Sequence, residues 1–317
     1  MKTPMVLFIV GPTATGKSDL AVDIAEGCAA ESPAPEIINC DSVQLFEGVD
    51  IGAAKPDKVL LERAQHHLVG HVPLGGSYTA GDFRRDALKV IFEGGQRGVN
   101  RFLAVGGSGF YVQALEKGMF EVPDVPEEVR ARLDAEADAP GGLEALYAEL
   151  KQKDPEAAAR ISPRDRYRIV RALEIIRSGP LGATLSEIKK RFAASAPEAP
   201  FFSYKIGLSL DRDVLRKRVR ERAARMLKAG LVEEVEGLRA KGLKDWAPLK
   251  SVGYREVQAM LDGRLAPKDL EDAIVTSTMQ LAKKQMTWFK RDQSIQWFDA
   301  VSERSKAIEE GQKILKP

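Results

Sequence analysis

MVLFIVGPTATGKS, residues 5–18, decides the fold: an apolar run, Met5-Val6-Leu7-Phe8-Ile9-Val10, leads directly into a glycine-bounded polar turn. Behind it, Asp19-Leu20-Ala21-Val22-Asp23-Ile24-Ala25 carries apolar residues at helical spacing, so a strand feeds a turn that opens a helix. In that setting Gly11-Pro12-Thr13-Ala14-Thr15-Gly16-Lys17-Ser18 is a Walker A loop. Its backbone N–H groups can curl around two phosphates, Lys17 adds a point positive charge, and the Ser18 hydroxyl can hold a magnesium ion. A ligand carrying a pyrophosphate is therefore expected. The motif by itself is an ATP- and nucleotide-binding signature and does not say which bond is broken.

Outward from this loop, short apolar runs alternate with helical stretches up to about residue 117, the pattern of a parallel sheet covered by helices. Strands are expected at Met5 to Val10, Glu36 to Cys40, His67 to Val72 and Arg101 to Val105. Ligands collect at the carboxyl ends of such strands, which draws attention to Gly11 to Ser18, Asp41 to Gln44 and Gly106 to Gly109. From about Gly118 to Pro200 the strand pattern stops, and Pro123, Pro126, Pro140-Gly141-Gly142, Pro155, Pro163 and Gly179-Pro180 punctuate short amphipathic helices. Strand pattern returns at Phe201 to Leu210 and again at Ile295 to Phe298. The expected fold class is α/β: a P-loop NTPase-like parallel sheet flanked by helices, residues 1–117 and 200–317, with an all-helical insertion domain at 118–199.

Composition describes a water-soluble enzyme of 317 residues, 44% hydrophobic and 30% charged. Cys28 and Cys40 have neither disulfide nor metal spacing and read as small buried side chains. His66 and His67 lack companion ligands. The N-terminal apolar run is too short for a signal peptide or a membrane span, so a cytoplasmic protein with no membrane contact is expected, acting as a monomer. Net charge is only +2, but it is unevenly spread. Residues 118–159 hold 4 basic and 11 acidic side chains, residues 160–191 hold 9 and 3, and residues 211–230 hold 8 and 3. Two basic stretches beside a phosphate loop fit a polyanionic second substrate.

Asp41 follows the second strand, so its carboxylate is expected to face the same cleft as the phosphate loop, as a general base. The same position suits a turn-capping aspartate, and P-loop kinases of small molecules place an acceptor-binding aspartate there, so spacing alone leaves phosphoryl transfer open.

Further segments narrow the reading. They are DSVQLFEGVDIGAAKP at 41–56, HHL at 66–68, YTAGDFRRDA at 78–87, VGGSGFY at 105–111, RYRIVRALEI at 167–176, SVGYREV at 251–257 and QLAKKQMTWFKR at 280–291. With the phosphate loop and in this order, they make the chain closely resemble the tRNA dimethylallyltransferase (tRNA isopentenyltransferase) family over nearly its whole length. The resemblance implies transfer of a dimethylallyl group from dimethylallyl diphosphate to N6 of adenosine 37, just 3′ of the anticodon, in tRNAs reading codons that begin with U. The phosphate loop, Gly11 to Ser18, would then hold a prenyl diphosphate instead of ATP, with Mg2+ on Ser18.

Carried over residue by residue, the resemblance makes Asp41 the base for the adenine amino group and Arg222 a pyrophosphate-facing cation. Ser108 stands where the family usually has threonine and keeps the hydroxyl. The tRNA would meet Asp41, Ser42, Val43 and Gln44, then Tyr167, Arg168, Ile169, Val170 and Arg171, and finally Lys283, Lys284 and Gln285. The acceptor base must leave its stack to reach the cleft, where the Gln44 amide can read it. Trp288 and Phe289 suit either base stacking or core packing. The chain departs from the family at Phe46-Glu47-Gly48, where Tyr-Arg-Gly is common, and at Ala53, where threonine is common; Glu47 reverses a charge near the cleft. A free nucleotide acceptor is the related alternative, and the basic helical insertion favours tRNA over it.

Overall fold

The computed structural model describes residues 2–30, 33–120, 125–178, 183–195 and 198–316. Pro123 and Gly179-Pro180, read above as helix punctuation, lie outside the described residues. The chain divides into two compact units, one of Met1–Glu116 with Ala199–Pro317 and the other of Lys117–Glu198.

The first unit is built on a sheet of six described strands, β1 (Met5–Val10), β2 (Glu36–Asn39), β3 (His66–His67), β4 (Arg101–Val105), β5 (Phe202–Ser209) and β6 (Gln296–Asp299). All neighbours are parallel and the order is β3-β2-β4-β1-β5-β6. Residues Val6 to Val10 are fully buried without alternation, as a central parallel strand covered on both faces requires. Leu7 and Ile9 pack with Leu20, Ile24 and Ala307 in one apolar cluster. Each such aliphatic side chain contributes about 1.5–3 kcal/mol on burial. In β5, Lys205 is the exception: its buried ammonium donates to Glu116 at 2.5 Å, Asp292 at 2.6 Å and Ser294 at 3.0 Å, satisfying a charge that would otherwise be costly to bury.

The third strand is much shorter than the expected His67 to Val72. Leu68 at φ 60° and Gly70 at φ 56° leave the extended region, and Val72 pairs only with Phe46 in an isolated bridge. The apolar spacing of that run reflects burial of a loop.

Helices α1 (Lys17–Gly27), α2 (Lys58–Arg63), α3 (Ala80–Gln96) and α4 (Gly109–Lys117) precede the second unit. That unit holds α5 (Glu127–Asp138), α6 (Gly142–Lys153), α7 (Pro155–Arg160), α8 (Arg166–Ser178) and α9 (Leu185–Ser195). The remaining helices are α10 (Arg212–Lys228), α11 (Leu231–Ala240), α12 (Tyr254–Leu261), α13 (Leu270–Phe289) and α14 (Arg304–Ile314). The second unit has its own core of Leu133, Leu146, Leu150, Ile169, Val170 and Leu173. Sequence punctuation acts as expected there: Gly141 adopts φ 71° before α6, and Pro155 occupies the first turn of α7 under the Asp154 cap.

Candidate active site

Three turns converge because β2, β4 and β1 are adjacent and parallel: the phosphate loop after β1, Asp41 to Gln44 after β2 and Gly106 to Gly109 after β4. At Gly11, φ is 135° and a Cβ would stand 2.3 Å from the Leu208 carbonyl oxygen of β5, so no larger residue fits. Gly16 at φ 84° turns the chain into α1. Thr15 Oγ1 donates to the Pro12 carbonyl at 2.9 Å, and Lys17 Nζ donates to the same oxygen at 2.6 Å. The curl is thus pinned from inside.

Cations and a carboxylate meet at this curl. Burial pushes the Lys17 ammonium down to about 8; Asp41 opposes that shift and Arg222 adds to it. Arg222, on α10, donates from Nη1 to Thr13 Oγ1 at 3.3 Å. Burial lowers its guanidinium from the ordinary arginine value, Asp41 opposing and Arg225 adding. Asp41 Oδ1 accepts from the backbone N–H of Val43 at 2.9 Å and of Gln44 at 3.4 Å. Its Oδ2 takes no hydrogen bond among the described residues, so one oxygen caps the turn while the other is open to a proton. Ser108 Oγ accepts from the Ser42 N–H at 3.0 Å and donates to Ser42 Oγ at 3.2 Å, tying the second and third turns together.

Other expected site residues fall differently. Gln285 reaches the phosphate loop: its Oε1 accepts from Thr13 N–H at 2.9 Å, and its Nε2 donates to the Gly107 carbonyl at 3.1 Å. Lys283 and Lys284 are exposed on the same helix. Trp288 is 39% exposed with its indole against Gly109, while Phe289 is core. In α8, Tyr167, Arg168 and Arg171 reach the surface, but Ile169 and Val170 are buried in the helical core. Their side chains pack inward and offer nothing to an RNA backbone. The basic stretch 160–191 is largely balanced within its own unit: Arg166 pairs with Asp134 and Asp138, Arg177 with Glu136 and Glu149, Arg171 with Glu174, and Arg168 with Asp165. By contrast α10 presents Arg216, Lys217 and Arg225 at the surface with no ion pair among the described residues.

Magnesium fits what is present. Ser18, the second residue of α1, is partly exposed, and its hydroxyl takes no hydrogen bond among the described residues. The remaining ligands would be diphosphate and water oxygens, the usual arrangement for this ion. Among the described residues no helix is long and apolar enough to cross a membrane.

Sequence reading missed three residues near the cleft. Tyr111 stacks on Phe83 with ring centroids 4.6 Å apart, and burial, then Asp41, pushes its hydroxyl up to about 12. Glu234 and Tyr254 hold the loop after Gln44. Tyr254 lay inside a quoted motif, whereas Glu234 sits among acidic residues that look like any solvated helix face.

A phosphate loop on a parallel sheet, with a carboxylate facing it across two cations, defines a P-loop group-transfer enzyme. Residues 44–292 match the IPP transferase family. The chain is 44% identical to the tRNA dimethylallyltransferase of Bdellovibrio bacteriovorus over 312 residues, 98% of each chain, and 41% identical to that of Geobacter sulfurreducens over 95% of each. The solved tRNA isopentenylpyrophosphate transferase of Bacillus halodurans superposes with a TM-score of 0.69 at 32% identity, covering 98% of this chain and 95% of that one. A eukaryotic dimethylallyltransferase acting on tRNA shares the fold, with a TM-score of 0.78 at 23% identity over 99% of this chain and 80% of its own. The chain belongs to the IPP transferase family.

Proposed function

We propose that this protein transfers the dimethylallyl group of dimethylallyl diphosphate to N6 of adenosine 37 in tRNA, releasing diphosphate. The observation that carries this reading is the phosphate loop itself, with Lys17 on the Pro12 carbonyl and Arg222 on Thr13 Oγ1, on a sheet whose neighbouring turn carries Asp41 with one oxygen unbonded among the described residues. An adenine amino group is a poor nucleophile because its lone pair is delocalised into the ring. Asp41 Oδ2 accepts its proton as N6 attacks the allylic carbon. The departing diphosphate gathers charge, which the N–H groups of Gly11 to Lys17, the Lys17 ammonium and Arg222 neutralise. Magnesium bound at Ser18 would add a further positive charge beside that leaving group. Ser108, bonded to Ser42, holds the Asp41 turn against the Gly106 to Gly109 turn.

In this reading the base is extruded from the anticodon loop and Gln44 meets it in the cleft. The anticodon stem is held by Arg168 and Arg171 of α8, with Lys283 and Lys284 of α13, and the enzyme works as a cytoplasmic monomer. The test incubates the protein with Mg2+, labelled dimethylallyl diphosphate and unmodified tRNA, beside reactions with AMP or with labelled ATP and small acceptors. Label on tRNA N6 is the expected result. Label only on AMP would transfer the reading to free-nucleotide prenylation, and phosphate transfer from ATP without prenyl transfer would overturn it.

A further inference from the structure

The loop that follows Gln44 is held by a clamp with no obvious part in the chemistry. Glu234, on α11, accepts with Oε2 from the N–H of Asp50 at 2.9 Å and of Ile51 at 2.8 Å, and with Oε1 from the N–H of Gly52 at 3.2 Å. Tyr254, the first residue of α12 and fully buried, donates its hydroxyl to Glu234 Oε1 at 2.6 Å and accepts from Ala53 N–H at 3.2 Å. Four consecutive backbone donors therefore end on one carboxylate and one phenol oxygen. A Cβ on Gly52 would lie 2.5 Å from the Tyr254 ring, so the clamp closes over a position that admits only glycine. Just beyond it Ala54 is held at φ 47°, a conformation a non-glycine residue keeps only when its surroundings enforce it.

What this loop presents back to the cleft is a pair of carbonyl oxygens. Gln44 Nε2 donates to Ala53 O at 3.1 Å and to Ala54 O at 3.0 Å. Both amide hydrogens are consumed, which fixes the sense of the amide, and Oε1 takes no hydrogen bond among the described residues. A glutamine with a free amide can turn either end towards a base. This one can offer only an acceptor.

We infer that Glu234 and Tyr254 are positioning residues for specificity: by fixing the Ala53 and Ala54 carbonyls they lock Gln44 as an acceptor, so the cleft favours a base with an exocyclic amino donor over one with a carbonyl there. The inference rests on the proposed meeting of Gln44 with the extruded base. Hypoxanthine, whose O6 replaces the adenine amino group, would face Gln44 Oε1 oxygen to oxygen.

The test measures binding of anticodon stem-loops carrying adenosine or inosine at the target position, without prenyl diphosphate, to wild type, Tyr254→Phe, Glu234→Gln and Gln44→Ala. The affinity ratio between the two RNAs should fall about three- to tenfold in Tyr254→Phe and Glu234→Gln, the size of one hydrogen bond lost or reversed, and at least as far in Gln44→Ala. Diphosphate affinity should stay at the wild-type level. If Gln44→Ala lowers the ratio but both clamp variants keep it, the clamp is merely structural and the inference falls while the role of Gln44 stands. If Gln44→Ala leaves the ratio unchanged, the meeting of Gln44 with the base is itself wrong. Thermal melts of both clamp variants identify one that has failed to fold, and the ratio is then read from the other.

Discussion

Asp41 divides its two oxygens between structure and chemistry, Oδ1 capping the turn at Val43 and Gln44 and Oδ2 left open. Replacing it by Asn keeps an acceptor for the cap and removes the base. Turnover should fall at least about a hundredfold with diphosphate affinity nearly unchanged, measured by single-turnover prenyl transfer and equilibrium binding; full activity would remove Asp41 from the mechanism. Lys17 supplies a pH prediction. Its ammonium is depressed to about 8 in the ligand-free protein, so its charge is complete below that pH and lost above it. A bound diphosphate favours the cation and raises that value. Diphosphate affinity should accordingly be level with respect to Lys17 below pH 8 and weaken as pH rises beyond it, with proton uptake on binding. Calorimetry in two buffers of different ionisation enthalpy reads the uptake, and Lys17→Met should abolish it. These residues were legible in the sequence because a phosphate loop and the turn after the next strand are local patterns. Glu234 was not, because its four-donor role exists only once residues far apart in sequence are folded together.

At the scale of elements, α13 shows how sequence distance hides a role. Gln285 lies 272 positions from Thr13, and nothing in QLAKKQMTWFKR tells whether its amide turns to RNA or to the phosphate loop. The bonds to Thr13 and Gly107 predict that Gln285→Ala weakens diphosphate binding about three- to tenfold and leaves tRNA binding unchanged; filter binding of tRNA beside diphosphate titration checks both. The α8 helix repeats the lesson with charge. Its arginines form half of a conspicuous sequence asymmetry, yet the acidic helices before it supply partners for Arg166 and Arg177, while Asp165 and Glu174 pair with Arg168 and Arg171. Exposed pairs such as those of Arg166 and Arg168 contribute only about 0–1 kcal/mol each, so exchanging them for RNA phosphates is not costly. Reversing Arg168 to Glu should raise the Michaelis constant for tRNA, more at low salt than at high, without altering diphosphate affinity. Ile169→Ala, in contrast, should act on stability alone, lowering it by about 2–5 kcal/mol through the cavity it leaves in the helical core, as a denaturant titration would record.

Over the whole molecule, the alternation of strand and helix patterns was readable because β1 is an unbroken apolar run and β4 is one after its first residue. The order β3-β2-β4-β1-β5-β6 was not, since buried strands carry no mark of their neighbours. The expected His67 to Val72 strand failed for a related reason: apolar spacing reports burial, and two residues of positive φ turned the buried run into a loop. The second unit has a separate core, so Lys117–Glu198 expressed alone should give a helical circular dichroism spectrum and a cooperative melt.

The placement of β1 between β4 and β5 bears on how the protein is made. A nascent chain can pair β1 with β4 as soon as residue 105 has emerged, but the other edge of β1, and the carbonyl of Leu208 against which Gly11 is fitted, come only after the second unit has been synthesised. At elongation rates of about 5–20 residues per second that interval is on the order of 5–20 s. Throughout it the first strand exposes an open edge beside an unsupported phosphate loop, an edge free to pair wrongly until β5 arrives.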